Sequence, residues 1–311
     1  MESKLESKFF IATKLSDYIT AIDGMGTERA FLIEGSERAL LIDGLTGIGS
    51  LKSFVRELTD LPVSLTLTHG HIDHAGAVYE YKECFMHPDD IALMYTPHHS
   101  AILDRYDFVA SANRHAVKQY LPKIEDVIPP CPVKTYPIYD GDVFDLGGVT
   151  IRAIHVPGHT SGSIVYLDPA SRIIFSGDAC NGNTLLCLDG STTIEEYYES
   201  LQYFKTWQPA FDVMYGGHDP RPIPNTIIDD ALQLCEEIMA RTDEKVPTAF
   251  RGDPAYLGLK RGSNGLPLRG GYADIMYKES MIFQRPAQPI QGLPLTWRNQ
   301  PLTHKKCLNT P

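Results

Sequence analysis

Short apolar runs separated by turn residues dominate the first third of the chain. The runs at residues 18–22, 30–34 and 39–43 are divided by glycine and serine, and this pattern predicts a β-meander. Residues 49–58 carry apolar side chains at helical spacing, which predicts a helix, and residues 63–67 predict a further strand. The alternation of strand and helix indicates an α/β protein built in layers.

The rest of the chain continues with helical and strand-rich segments. Residues 88–122 predict helices, which form an insertion near residues 88–125. Strands are then predicted at 133–138, 149–155, 163–167, 173–176 and 213–215, and helices at 194–207 and 227–239. This order fits two β-sheets packed face to face with helices outside, and it is also compatible with an ordinary α+β domain.

The chain ends in two less regular segments. Residues 241–284 hold several glycines and a late apolar run at 272–277 that predicts a closing strand. From residue 285 onward, five prolines occur in 27 residues with few periodic apolar positions. We therefore expect one domain over residues 1–284 and a flexible proline-rich tail over residues 285–311.

Charge and cysteine content narrow the possible partners. The 311 residues carry 28 basic and 39 acidic side chains, a net charge of −11, whereas a general nucleic-acid binder needs a basic face. Six cysteines without a CxxC pair are typical of reduced thiols, and neither a secretory signal nor an apolar run of membrane-spanning length is visible. We expect a cytoplasmic protein that binds neither nucleic acid nor a membrane, while the oligomeric state stays open.

Four side chains able to bind a metal lie within six residues of one another. His69, His71, Asp73 and His74 follow the strand predicted at 63–67. A loop that leads from a strand into a helix can turn such side chains towards one point, whereas a regular strand points neighbours to opposite faces. Imidazole and carboxylate together suit Zn²⁺, with iron or manganese as alternatives.

Three further residues of the same types follow predicted strands. His159, Asp178 and His218 each have a neighbouring glycine, so we expect each on a loop at a sheet edge. They offer the ligands that six residues alone cannot provide for two metal ions. Asp43, which also follows an apolar strand, is either a partner that orients a ligand histidine or a simple turn residue.

The motifs HGHIDH, PGHTSG, SGDA and GGHD occur in this order, and with them residues 18–240 resemble the metallo-β-lactamase superfamily. The resemblance implies a four-layer αββα sandwich, an α/β (α+β) fold class, with a two-metal site at one sheet edge. It also implies two metal positions that share Asp178 as a bridge: His69, His71 and His159 at the first, and Asp73, His74 and His218 at the second.

The same resemblance implies a reaction. A hydroxide bound between two zinc ions would attack an acyl carbon of a small molecule, and Asp73 or the second metal would assist the leaving group. The expected substrate contains an ester, lactone, thioester or amide bond. Two zinc ions per chain are the expected cofactors, with iron or manganese possible in their place.

Departures from particular branches of the family leave the substrate open. The β-lactamases lack the bridging aspartate, so Asp178 argues against β-lactam hydrolysis. Glyoxalase II enzymes are similar in the PGHTSG and GD segments, but their basic C-terminal cluster is not visible here. Lactonases place a tyrosine where this chain has Asn181, an amide able to donate a hydrogen bond to substrate. The mononuclear iron persulfide dioxygenases share the histidine motifs and remain the alternative.

Other histidines and cysteines are not expected to react. His98, His99 and His115 lie in the helical insertion, from which they could reach a substrate, but they are expected to face solvent. The insertion itself either covers the metals as a lid or packs outside the sandwich. His155 alternates within a strand, and Cys180 comes two residues after Asp178; both are expected to pack in the structure.

Overall fold

The computed structural model describes residues 4–110 and 121–284. Within these ranges, eighteen strands form three sheets and seven α-helices lie between them in the chain. No helix of the described part is long and apolar enough to cross a membrane. His115 and the tail at 285–311 lie outside the described residues, and the domain boundary at residue 284 stays a prediction.

The first sheet contains eight strands that follow one another in chain order. Neighbouring strands pair antiparallel from the first to the fifth strand and parallel from the fifth to the eighth. The predicted meander and the strand at 63–67 are confirmed, and two N-terminal strands precede them. The strands are β1 (Lys4–Glu6), β2 (Ile11–Lys14), β3 (Ile19–Asp23), β4 (Arg29–Glu34), β5 (Ala39–Ile42), β6 (Val63–Thr66), β7 (Glu83–Met86) and β8 (Lys134–Pro137).

The second sheet contains six strands. Four of the five strands predicted between residues 133 and 215 belong to it, whereas the strand predicted at 133–138 is β8 of the first sheet. Its strands are β9 (Val143–Asp145), β10 (Thr150–His155), β11 (Ile164–Asp168), β12 (Ile173–Gly177), β14 (Val213–Gly216) and β15 (Ile223–Pro224). Strands β12 and β14 run parallel with Gly177 opposite Gly216. Their carboxyl ends therefore lie side by side, which brings the residues that follow each strand to one sheet edge.

The two sheets pack face to face because their strands alternate apolar side chains between two faces. In β4, Phe31 and Ile33 contact the second sheet, whereas Leu32 faces the opposite side. Phe31 meets Phe175 of β12 with ring centroids 4.7 Å apart. Burial of each such side chain contributes about 1.5–3 kcal/mol of transfer free energy.

Helices cover both outer faces and complete the predicted αββα sandwich. The first sheet is covered by α1 (Leu51–Leu58) and α2 (Val78–Tyr81), and the second sheet by α6 (Ile194–Lys205) and α7 (Ile227–Ala240). Helix α6 begins at a capping box, in which the Thr193 hydroxyl accepts from Glu196 N and the Glu196 carboxylate accepts from Thr193 N. The predicted four-layer fold is thus confirmed.

A third sheet of four strands was not predicted, apart from its closing strand. It is formed by β13 (Thr184–Leu186), β16 (Val246–Phe250), β17 (Asp253–Leu257) and β18 (Ile275–Tyr277). Strand β13 pairs parallel with β18, about ninety residues away in the chain. Such short strands show no clear alternation, so the sequence pattern alone does not reveal them.

The predicted insertion is helical over residues 91–110. It contains α3 (Ile91–Met94), α4 (Pro97–Ser100) and α5 (Ile102–Ala110), while the stretch after residue 120 has only a 3₁₀ turn at Ile124–Asp126. Helix α5 buries Arg105 and Val109, and Val109 packs with Met25 of the first sheet's β3–β4 turn. The described part of the insertion therefore packs against the sandwich.

Candidate metal centre

The candidate centre forms where four loops leave the two main sheets. The HGHIDH loop follows β6, the PGHTSG loop follows β10, and Asp178 and His218 follow β12 and β14. The loops approach one another closely, since a β-carbon on Gly177 would lie 2.3 Å from Thr68 Oγ1. Gly177 also has φ +50°, so glycine is required there for both space and conformation.

All seven residues predicted as ligands come together at this place. They form three overlapping groups whose nitrogen and oxygen atoms lie within 4.8 Å of one another in each group. The groups are His69, His71 and His159; His69, His74 and Asp178; and Asp73, His74 and His218. Both predicted triads are present, and Asp178 shares a group with a member of each.

Four of the histidine rings are held by a polar group at Nδ1. A partner at one ring nitrogen fixes both the tautomer and the orientation of the ring, and it leaves the other nitrogen to face the cluster. The partners are Thr68 Oγ1 for His69 at 2.9 Å, Asp43 Oδ2 for His74 at 2.8 Å, Leu185 O for His159 at 2.9 Å and Thr27 Oγ1 for His218 at 3.4 Å.

Two of the ring nitrogens that face the cluster lack the partners that buried polar groups require. Nε2 of His69 and Nε2 of His74 are buried and have no hydrogen-bond partner among the described residues. His71 Nδ1 and His159 Nε2 face each other at 2.8 Å. Unpaired buried nitrogen atoms around carboxylates are the donor set that Zn²⁺, iron or manganese would satisfy, so these residues fit a metal site.

Burial and charge divide the histidines into two classes. Burial lowers the pKa of His69, His71 and His159, so these rings are neutral, as metal ligation requires. Burial also opposes the protonation of His218, but the carboxylates of Asp178 and Asp73 overcome it and raise the pKa of this residue. The two carboxylates therefore favour a positive charge beside them, which a bound cation would supply.

The centre is deeply placed but open on one side. His69, His74 and His159 are almost completely buried, whereas the His218 side chain is 33% exposed. His218 Nε2 lies 3.3 Å from Asp73 Oδ2 and 3.2 Å from Asp178 Oδ2. His218 is therefore the most exposed side chain of the cluster.

The two residues predicted as possible supports lie beside the cluster. Asp43 has φ +67° and accepts hydrogen bonds from both the amide and the hydroxyl of Thr68, in addition to its contact with His74. Asn181 Nδ2 lies 3.4 Å from Asp178 Oδ1. Asn181 therefore contacts a candidate ligand, which leaves its suggested contact with substrate a prediction.

The expectation that His99 faces solvent is wrong. Its ring is half-buried and stacks on His71, with centroids 5.4 Å apart and an interplanar angle of 20°. Helix α4 folds back against the HGHIDH loop, and the Thr96 hydroxyl holds His99 Nδ1. Burial lowers the pKa of His99 to about 4, so the ring is neutral. The neighbouring His98 is exposed, as expected.

The predictions that His155 and Cys180 pack in the structure agree with the described residues. His155 lies on β10 and stacks on His87 with centroids 4.1 Å apart, and its Nε2 lies 2.9 Å from Ser161 O. Cys180 is fully buried in the apolar cluster between the second sheet and its helices. Neither residue belongs to a possible metal group of the described chain.

The sequence pattern does not predict two buried carboxylates near the centre. Glu28 accepts from Thr46 Oγ1 at 2.9 Å, and burial raises its pKa. Asp90 accepts hydrogen bonds from the two ligand loops. Burial raises the pKa of Asp90, although these hydrogen bonds act in the opposite direction. Nothing in their local patterns distinguishes them from surface acids, since their burial arises from contacts with segments distant in the chain.

Comparison with known proteins identifies the family. A protein named acyl-coenzyme A thioesterase MBLAC2 from Gallus gallus is 27% identical over 185 residues, which cover 55% of this chain and 64% of that protein. Its Homo sapiens counterpart is 28% identical over 176 residues, 50% of this chain and 59% of that protein. The chain thus matches less than two thirds of the length of these curated relatives.

A solved structure supports the fold alone. The metallo-β-lactamase from Erythrobacter litoralis has a TM-score of 0.51 at 18% identity, over 76% of this chain and 100% of that chain. The sequence profile of the metallo-beta-lactamase superfamily matches residues 24–248, a span that contains all seven clustered side chains. The chain therefore belongs to the metallo-β-lactamase superfamily.

Proposed function

We propose that this protein is a metal-dependent hydrolase of small acyl compounds, with acyl thioesters as its substrate class. The observation that carries the proposal is the convergence of five histidines and two aspartates with unpaired Nε2 atoms on His69 and His74. Thioesters are favoured over other acyl compounds because the relatives from Gallus gallus and Homo sapiens are named acyl-coenzyme A thioesterases.

Two cations, proposed as Zn²⁺, would occupy the two triads. The first would be held by His69, His71 and His159, and the second by Asp73, His74 and His218. Asp178 is proposed to contact both, because its Oδ2 lies 3.7 Å from the Nε2 atoms of His74 and His159 and 3.2 Å from that of His218. When bound, such ions acidify water enough to provide a nucleophile near neutral pH and polarise an acyl carbonyl.

The residues of the chain supply orientation and proton transfer. Asp43, Thr68 and the Leu185 carbonyl hold the imidazole rings, and Asn181 contacts the Asp178 carboxylate. Asp73 contacts His218, the most exposed histidine of the cluster, and is proposed to assist the leaving group. In the balanced reaction, water adds to the acyl carbon, the carbon–sulfur bond breaks, and a carboxylic acid and a thiol are formed.

A substrate panel on metal-quantified protein tests the proposal. The panel contains acyl-coenzyme A thioesters, a lactone, an aryl ester and a phosphodiester, and release of free thiol reports thioester cleavage. We expect two zinc ions per chain and turnover that favours the thioesters, with no turnover by an Asp178→Asn control. One iron per chain with oxygen uptake would instead support an oxygenase similar to persulfide dioxygenases and would overturn the hydrolase assignment.

A further inference from the structure

One buried carboxylate connects the two loops that carry the three-histidine triad. Asp90 precedes α3 and is 1% exposed. Its Oδ2 accepts hydrogen bonds from Gly70 N and from Thr160 Oγ1, each at 2.8 Å, and its Oδ1 accepts from Gly162 N at 2.8 Å. Gly70 stands between His69 and His71, and Thr160 follows His159, so the two loops share one anchor.

The loops pack closely around this carboxylate. A β-carbon on Gly162 would lie 2.6 Å from Asp90 Oδ1, and one on Gly70 would lie 2.7 Å from the Asp90 carbonyl oxygen. Glycine at both places lets the backbones approach and donate directly. With the two loops at this separation, His71 Nδ1 and His159 Nε2 lie 2.8 Å apart.

The charge of Asp90 has no cationic partner in the described part of the chain. A backbone amide, which can only donate, contacts each of its oxygens, and this arrangement suits the ionised form. An unpaired buried carboxylate is costly, and the two loops that Asp90 joins carry the residues of the three-histidine triad. A divalent cation held by that triad would provide the missing compensation.

We propose that Asp90 is a positioning residue for the cation of the three-histidine triad. It fixes the separation between the loops of His71 and His159, and its negative charge favours a divalent ion there. The inference rests on the metal site of the proposed function. Asp43 contacts the His74 ring of the other triad directly, whereas Asp90 acts through the loops that carry the ligands. Each proposed cation thus has a buried aspartate that is not itself a ligand.

Metal titration of the full-length Asp90→Asn variant tests the role of the carboxylate. We expect the affinity for one of the two Zn²⁺ ions to fall by about 10–100-fold, the range typical of residues that support metal ligands, while the other affinity stays unchanged. Asp168→Asn is the matched control, because Asp168 is equally buried and accepts from Tyr18 and Ser171. It lies at the far end of β11, about 16 Å along the strand from the PGHTSG loop.

A second pair of variants keeps the test decisive if Asp90→Asn does not fold. Thr160→Val removes one hydrogen bond to Asp90 at constant shape, whereas Thr160→Ser retains it. We expect a severalfold loss of affinity at one ion in the valine variant and recovery in the serine variant. Wild-type affinity for both ions in Asp90→Asn, or in Thr160→Val, would overturn the proposal. Failure of wild-type protein to hydrolyse any acyl substrate would instead overturn the proposed function.

Discussion

Nδ1 of His74 lies 2.8 Å from Oδ2 of Asp43, and both side chains are buried. The same carboxylate accepts hydrogen bonds from the amide and the hydroxyl of Thr68. Asp43 therefore links the strand end of β5 to the HGHIDH loop and fixes one ring of that loop. Because Nδ1 is occupied, His74 directs its unpaired Nε2 towards Asp73 and Asp178, at 3.8 and 3.7 Å.

We predict that Asp43→Asn lowers metal affinity without changing the fold. Asparagine has the same size and tolerates the positive φ of this position, but it loses the charge that favours the Nδ1–H tautomer of His74. The affinity for the ion at Asp73, His74 and His218 should fall by about 10–100-fold. Titration with Zn²⁺ against a competing chelator measures it.

The comparison with Asp90→Asn sharpens this prediction. Asp90→Asn should weaken the ion of the three-histidine triad, because Asp90 contacts the loops of that triad. Asp43→Asn should weaken chiefly the ion at His74 and, because Asp43 also holds Thr68 behind His69, the other ion to a smaller extent. In the double variant, both affinities should fall. If Asp43→Asn leaves both affinities at wild-type values, Asp43 is only a turn residue.

We predict that His71→Ala and Asp178→Asn each abolish hydrolysis and reduce bound metal while the chain stays folded. Substitution of a candidate ligand should lower kcat/KM more than substitution of a supporting residue, so we expect a decrease of more than about 100-fold. Both residues lie on loops outside the apolar clusters that hold the sheets together. Metal analysis, circular dichroism and steady-state kinetics on the same preparations check the prediction. Wild-type turnover on every substrate by either variant would show that its assignment is wrong.

The sequence predicted the clustered residues better than their surroundings. His69, His71, Asp73 and His74 share one loop, and the three others follow strands beside glycine, so residue type and position were enough to identify them. By contrast, the contact of His99 with His71 depends on how the insertion folds back, which no local periodicity encodes. The acceptor for His159 Nδ1 lies on β13, whose pairing with β18 joins distant segments. Such contacts arise only after tertiary packing.

We predict that removal of metal destabilises the protein reversibly. Ions that bind only the folded chain stabilise it by about 2.7 kcal/mol at a concentration of 100 Kd, which corresponds to a shift of roughly 4 °C in Tm for a chain of this size. Dialysis against a chelator should lower Tm and abolish turnover, and Zn²⁺ should restore both. The Asp178→Asn variant, measured in parallel, should show a smaller zinc-dependent shift. An equal Tm with and without metal would contradict stabilising binding at this centre.

We predict that His99 affects substrate binding more than metal binding. The Thr96 hydroxyl donates to Leu93 O, so it accepts from His99 Nδ1–H, and His99 Nε2 is left as an acceptor beside His71. Because the His99 ring is only half-buried, a substrate donor can reach this acceptor. His99→Phe keeps a ring for stacking but loses the acceptor, and we expect kcat/KM to fall by about tenfold through KM, with unchanged zinc content. His98→Ala is the control, since that exposed residue contacts Asp104 and Arg251 instead. Loss of zinc in His99→Phe, or an equal effect of His98→Ala on KM, would contradict a contact between His99 and substrate.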